Sequence, residues 1–349
     1  LGAAVEADPS DLDRALYATF QLVGAVARSE DVDIGILAEV SRSAADLARQ
    51  EGDNLRLLLA LIARARAVTM RAAWTELEDL AAEIDACGNQ YHRMIAQVLR
   101  GTALARGPSP ISLAIAHTER NLAPPGQDPR RLARVRLVRA SFLAALQGPG
   151  ARPALEEAVR ELQSVDPRAE LFVADRMALA GRFMGDLPLA MDSLSTIVSL
   201  RRAQGDSATL STDLADLAAC MLELGRPPQE VRPVVAEAEL LTGRGDALSA
   251  SLVAALGGVV ASREGDLKGA AELAGRGIDL IDRTDDCWAQ ADIRAWASEV
   301  AQAGGDLPRA RALLQEALDR YRLKEFTVLA GDVEERLRAL TPSGGRPGR

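Results

Sequence analysis

Glycine recurs at Gly185, Gly225, Gly265 and Gly305, a spacing of forty residues held three times over. Halfway between these positions fall Gly205-Asp206, Gly245-Asp246 and the related pair Asp285-Asp286. A turn therefore returns about every twenty residues, which divides each unit into two helices. A single helix pair cannot cover its own apolar face, so such units stack side by side and share a continuous core. The register predicts an all-α chain, an α-α superhelix.

The turns carry their own logic. In "GDLPLA", "GDLKGA" and "GDLPRA" the glycine ends one helix by accepting a positive φ, and the following aspartate accepts hydrogen bonds from the free amides of the next helix. Asp186, Asp266 and Asp306 are the expected caps, and Pro188 and Pro308 fall in a first turn whose amides have no intrahelical partner. Between turns the spacing is helical: Leu307, Ala310, Leu314, Ala317, Leu318 and Tyr321 lie on one stripe.

Applied to the whole chain, the pattern predicts helix pairs at 10–28 with 33–49, 54–72 with 74–86, 90–106 with 111–122, and 130–147 with 153–163. It continues with 169–184 and 187–202, 207–224 and 227–241, 247–263 and 267–283, and 288–303 and 307–322. About eight pairs result, and a last helix at 327–340 caps the open end. The reading is one domain over 1–340, less regular over 1–168 and regular over 169–326, followed by a flexible tail or linker at 341–349. Composition agrees, since 48% of the residues are hydrophobic but only 3% aromatic, with alanine and leucine dominant.

The three turn sequences resemble those of tetratricopeptide repeats, whose small alanine early in the second helix matches Ala190, Ala270 and Ala310. Gly258 matches the glycine of the family's first helix, and Ala317 a later alanine. The large aromatic positions are mostly Ala or Leu here, and the forty-residue period is longer than the family's usual one. Such long repeats, and the ending "RARALLQEALDRYRLKEFTVLAGDVEERLRAL", resemble the C-terminal repeat regions of large bacterial signalling ATPases, LuxR-type regulators and cyclase-linked ATPases. That resemblance implies a signalling segment, serving transcription regulation among other roles, that receives an effector or protein partner for a neighbouring ATPase.

Charge is segregated between helices. The segments 54–72, 90–106 and 130–147 carry arginines and no acidic residue, whereas 74–86 carries Glu76, Glu78, Asp79, Glu83 and Asp85 and no base. At 100° per residue Arg56, Arg64 and Arg71 project within about 80° of one another. Arg93 with Arg100 form a second stripe, and Arg131 and Arg134 continue the pattern. In tetratricopeptide-like superhelices the first helix of each pair lines the concave face, so the resemblance implies a basic groove there, suited to an acidic peptide, a phosphorylated ligand or a nucleic-acid backbone. The same arginines equally suit ion pairs with neighbouring glutamates. Helix 207–224 reverses the sign with Asp213, Asp216 and Glu223.

Catalytic signatures are not expected to carry the function. Neither G-x-x-x-x-G-K-[ST] nor H-E-x-x-H occurs, and His92 and His117 stand on different helices. "DRTDDCW", Asp282 to Trp288, gathers three carboxylates at an inter-repeat turn, where Asp286 suits a cap and Trp288 a packing role. A helical-toroid enzyme would need an aromatic-lined pocket, which so few aromatics hardly supply. The expectation is a non-enzymatic sensor or scaffold without metal or cofactor that binds a protein, peptide or small effector, with a stand-alone adaptor for an acidic peptide as the first alternative and a helical-toroid enzyme or direct nucleic-acid binder as the second.

The net charge of -9 argues against whole-surface attraction to nucleic acid. Cys87, Cys220 and Cys287 are odd in number and far apart, which points to free thiols in a reducing cytoplasm. The most apolar run, 57–63, is far short of the roughly 18 residues that suggest a membrane span.

Overall fold

The computed structural model describes residues 10–28, 32–87, 90–122, 128–206 and 209–340. The expected tail at 341–349, most of the "APPGQDP" turn and the middle of the "CGNQ" turn lie outside these residues. Within them are seventeen α-helices. The first eight are α1 (Asp11–Ala27), α2 (Ile34–Glu51), α3 (Asn54–Met70), α4 (Trp74–Ala86), α5 (Gln90–Arg106), α6 (Ile111–Leu122), α7 (Pro129–Gln147) and α8 (Arg152–Val165). The rest are α9 (Glu170–Met184), α10 (Leu187–Gln204), α11 (Leu210–Glu223), α12 (Pro228–Leu241), α13 (Ala247–Arg263), α14 (Leu267–Ile281), α15 (Cys287–Ala303), α16 (Leu307–Leu323) and α17 (Thr327–Ala339). The chain is a tetratricopeptide-like α-solenoid of eight helix pairs closed by a capping helix. A short 3-10 turn at Gly148–Ala151, absent from the sequence reading, joins α7 to α8.

The turn chemistry operates as the residues dictate. Gly185, Gly225, Gly265 and Gly305 all take positive φ, between 69° and 92°. Asp186, Asp266 and Asp306 each accept a backbone amide three residues on, at 3.2, 3.0 and 3.0 Å. Inside the pairs the helices approach until a methyl group would not fit. A Cβ on Gly181 would lie 2.8 Å from the Ala190 nitrogen, and one on Gly258 3.0 Å from the Ala270 oxygen.

The superhelix winds back onto itself. Backbone bonds join Ile34 N–H to the Arg244 carbonyl at 2.9 Å, Asp285 N–H to Ala72 at 3.3 Å, and Ile111 N–H to Lys324 at 3.2 Å. Asp285 also accepts the Thr75 amide at 2.7 Å, and Asp286 accepts the Trp74 indole at 2.9 Å. At the centre of this seam lies Lys324, fully buried, whose Nζ donates to the carbonyls of Leu104 and Gly107 at 2.9 Å each and to that of Ser109. These side-chain bonds link residues 210 to 220 positions apart, so one superhelical turn takes about five of the forty-residue units. The only non-glycine residues with positive φ among the described residues, Ala72 at 51° and Glu325 at 61°, both belong to the seam.

The seam also explains a departure in pairing. From α9 onward each expected pair forms the tightest antiparallel contact, but in the first coil α2 lies closer to α3, and α4 to α5, than α3 to α4 or α5 to α6. Gly52 and Asp53 make the same stop-and-start turn between α2 and α3, with Gly52 at φ 71°. The α3–α4 and α5–α6 turns instead spread around Asp285 and Lys324 of the second coil. Apolar packing consequently runs across both coils, with Leu61, Val68 and Leu77 of the first in one cluster with Leu214, Leu256 and Val300 of the second.

Candidate binding site in the superhelix interior

Closure of the coil leaves a cavity of about 190 Å³ walled by α5, α7, α9, α10, α11, α13 and α15. All but α10 are first helices of their pairs. Their apolar contribution comes from Phe142, Leu179, Leu252 and Trp288, with Leu194 and Ile197 added by α10. Three arginines, Arg106, Arg176 and Arg182, and four aspartates, Asp175, Asp213, Asp216 and Asp292, complete the wall. The cavity opens to solvent on the side of Asp175, whose side chain is 40% exposed, and the charged groups deeper in it require partners.

Most have them. Arg182, buried on α9, donates to Glu223 of α11 at 2.8 Å and to Asp292 of α15 at 3.0 Å. Burial would lower its pKa, but Glu223 and Asp292 outweigh that effect and hold it above the ordinary value. Asp292 also accepts the Tyr321 hydroxyl, and Glu223 the Trp296 indole at 3.3 Å. Burial pushes the Asp292 carboxyl up to about 6, against the pull of Arg182 and Tyr321. Arg106 lies over the rings of Trp288 and Trp74 at 5.1 and 5.7 Å and 3.5 Å from Asp286. Arg176 pairs with Asp175, and Asp213 with Arg201. Burial drives Asp213 up to about 7, with Arg201 opposing.

Asp216 is the exception. It lines the cavity half-buried, and no hydrogen bond or ion pair reaches it among the described residues. Burial raises its pKa, offset in part by the more distant charges of Arg106 and Arg182.

None of the seven arginines expected to form a basic groove lines this cavity. Arg64 of α3 and Arg71 just past its end share Glu76 of α4, at 2.7 and 2.8 Å. Arg56 reaches Asp13 at 2.9 Å, with Glu51 and Asp53 nearby. On α5, Arg93 is exposed and Arg100 lies 3.7 Å from Glu78. On α7, Arg131 donates to Gln97 at 2.6 Å, while Arg134 pairs with Asp166 at 2.8 Å and covers the Phe172 ring at 5.1 Å. The acid-free and base-free helices therefore engage one another. Arg106, farther along α5, is the arginine of this group that reaches the interior.

The "DRTDDCW" turn performs three separate structural tasks. Asp282 pairs with Arg294, Asp285 fastens the seam, and Asp286 caps α15 through the Ala289 amide at 2.8 Å. Trp288 packs against Phe183 and, edge to face, Phe326, with ring centroids 5.0 and 5.6 Å away. His117 is buried on the Gln97 carbonyl at 3.1 Å, and burial lowers its pKa. Cys220 and Cys287 are buried free thiols, and Cys87 is half-buried. No group of three potential metal ligands is assembled among the described residues, and no described helix is long and apolar enough to cross a membrane.

No family model and no curated protein matches the sequence. Among solved structures, the Rap protein complexed with Competence and Sporulation Factor aligns with a TM-score of 0.54 at 13% identity, over 95% of this chain and 97% of that one. This likeness shows the fold alone, a tetratricopeptide-like helical repeat. BtubC from P. vanneervenii aligns at 14% identity over 98% of each chain with a TM-score of 0.30. Yeast Tom70 aligns at 13% identity over 88% of this chain and 87% of that one, at 0.32. These last two scores are too low to bear on the fold.

Proposed function

We propose that the chain is a non-enzymatic sensor segment that takes a small effector, or the side chain of a short peptide, into the superhelix interior and presents the closed coil to a protein partner. The observation that carries this reading is the interior cavity, walled by the first helices of six repeats from both coils. A guest there touches both coils at once, so occupancy and coil closure are coupled by their shared contacts. The Rap structure, solved in complex with Competence and Sporulation Factor, supports the idea that such a fold binds a partner. The charged groups on the wall mostly neutralise one another, which suits binding better than acid-base chemistry. We place the segment in the cytoplasm and within a larger bacterial regulator, on the repeat texture of its C-terminal half.

A second reading keeps the arginines of α3, α5 and α7 as a docking surface for an anionic peptide. Arg93 and Arg134 favour it, since both are exposed on successive first helices, Arg134 beside Asp166. The two readings separate in one experiment. Fluorescent short-peptide and small-amine libraries are titrated against the protein, against Ala178→Phe, which fills the cavity, and against Arg93→Ala/Arg134→Ala. Interior binding predicts at least about a tenfold loss in the filled variant only, and equal binding by that variant contradicts it. An adjoining ATPase or DNA-binding domain in the flanking DNA is expected, and an open reading frame bounded near residues 1 and 349 would remove that part of the proposal.

A further inference from the structure

Among the charged groups that line the cavity, one lacks a partner. Arg182 is held by Glu223 and Asp292, Arg106 by Asp286 and two indoles, Arg176 by Asp175, and Asp213 by Arg201. Asp216 faces the same space with no partner within hydrogen-bonding or ion-pair distance among the described residues. An unpaired carboxylate on a half-buried wall carries a desolvation cost, and that cost is relieved by a guest that supplies a positive charge.

The remaining wall says what the rest of that guest resembles. Phe142, Leu194, Ile197 and Leu252 present hydrocarbon to the cavity, which at about 190 Å³ accommodates a few methylene groups and one head group. An anion would meet four aspartates, and a fully apolar guest would leave Asp216 unsatisfied.

We propose that the interior cavity is a binding site for an organic monocation, a guanidinium or ammonium group on a short hydrocarbon chain, which donates to the carboxylate of Asp216. This rests on the interior-binding reading above and adds the chemistry of the ligand. The same group can arrive as a free alkylguanidine or as a side chain within a peptide. Its charge gives Asp216 the partner that the wall lacks, and its chain lies against Phe142 and Leu252.

The test titrates four probes into the full chain by calorimetry: agmatine, the tripeptide Ala-Arg-Ala with blocked ends, its citrulline analogue, and blocked Ala-Glu-Ala. Saturable binding of agmatine or the arginine tripeptide is expected, with the citrulline and glutamate peptides at least about tenfold weaker. Preference for agmatine identifies a free cation as the guest, and preference for the tripeptide a peptide side chain. Asp216→Asn is expected to weaken the cation about 10- to 100-fold, and Asp216→Glu to retain most of it. Circular dichroism checks that both variants are folded, and Asp216→Asn, which removes an unpaired charge, should be at least as stable as the parent.

The inference is overturned if neither cation binds, or if Asp216→Asn binds them as tightly as the parent. A neutral or anionic library ligand that Ala178→Phe excludes would leave the interior-binding reading standing while the cation inference fails. Cation binding unaffected by both Asp216→Asn and Ala178→Phe would place the guest elsewhere and end both.

Discussion

Replacing Lys324 by methionine should unfasten the seam between the two coils. The ammonium is completely buried and donates to three carbonyls of the α5–α6 region, Leu104, Gly107 and Ser109. Methionine keeps most of the chain length and leaves all three acceptors in an apolar place without a donor. A hydrogen bond to a charged group contributes about 1.5–3 kcal/mol, and part of the total is offset by desolvation of the ammonium, so about 3 kcal/mol of seam stability should disappear. That desolvation is visible in the Lys324 pKa, which burial lowers from 10.5 to about 8 while still leaving the group charged at neutral pH. Native-state hydrogen exchange is the assay, because a local opening need not unfold the whole array. The Ile111 and Ser112 amides, bonded across the seam to the Lys324 carbonyl and to Glu325, should exchange about a hundredfold faster in Lys324→Met. Amides within α13 should change far less. Unchanged protection at Ile111 and Ser112 would refute the reasoning and show that apolar packing alone holds the coils together.

Other consequences follow from the same geometry. Burial raises Asp213 to about 7, and Asp246 and Asp292 to about 6 each, from 3.8, so the folded state binds these protons more tightly than the unfolded chain. The contribution of these three groups to stability should therefore fall as pH rises from 4 through about 7, with Asp213→Asn flattening the slope relative to the parent, and calorimetry that shows no difference in slope contradicts it. Gly181→Ala forces a methyl to within 2.8 Å of the Ala190 nitrogen and should cost about 1–3 kcal/mol by overpacking. Gly225→Ala, with open space and φ 72°, should cost only about 1–2 kcal/mol of backbone strain, and urea denaturation compares the two. Arg182→Met strands Glu223 and Asp292 together in the interior and should cost about 3–5 kcal/mol, more than Asp292→Asn in the same assay.

The helices were legible because their limits are written locally. Gly305 and Asp306 specify a turn whatever lies around them, and the same holds at Gly52-Asp53, although the register is weaker there. The closure of the coil was not legible, since its bonds join residues more than two hundred positions apart. Two traces of it exist in hindsight. Glu325 occupies the half-step after Gly305 in the glycine register and adopts the positive φ without the glycine. Lys324 beside it is a charged residue with no local reason to be buried.

The interior site was half legible. The sign reversal at Asp213, Asp216 and Glu223 marked α11, and Arg106 belonged to an arginine-bearing helix. Arg182 and Asp292 went unnoticed because each stands in an alanine-rich stretch and acquires meaning only from helices on other repeats. The arginines of α3 follow the opposite course: they share a face by periodicity, but Glu76 on the next helix meets two of them. Periodicity places a side chain on a face, and only packing decides what waits opposite it.

Closure of the superhelix underlies both the cavity and the seam, and cysteine cross-linking tests it most directly. With Cys87, Cys220 and Cys287 replaced by alanine, Thr75→Cys and Asp285→Cys are introduced at residues whose side chains touch across the coils. Mild oxidation of the folded monomer should give one intramolecular disulfide between residues 75 and 285, identified by peptide mass spectrometry, and an open spiral that yields no such bond would contradict the account.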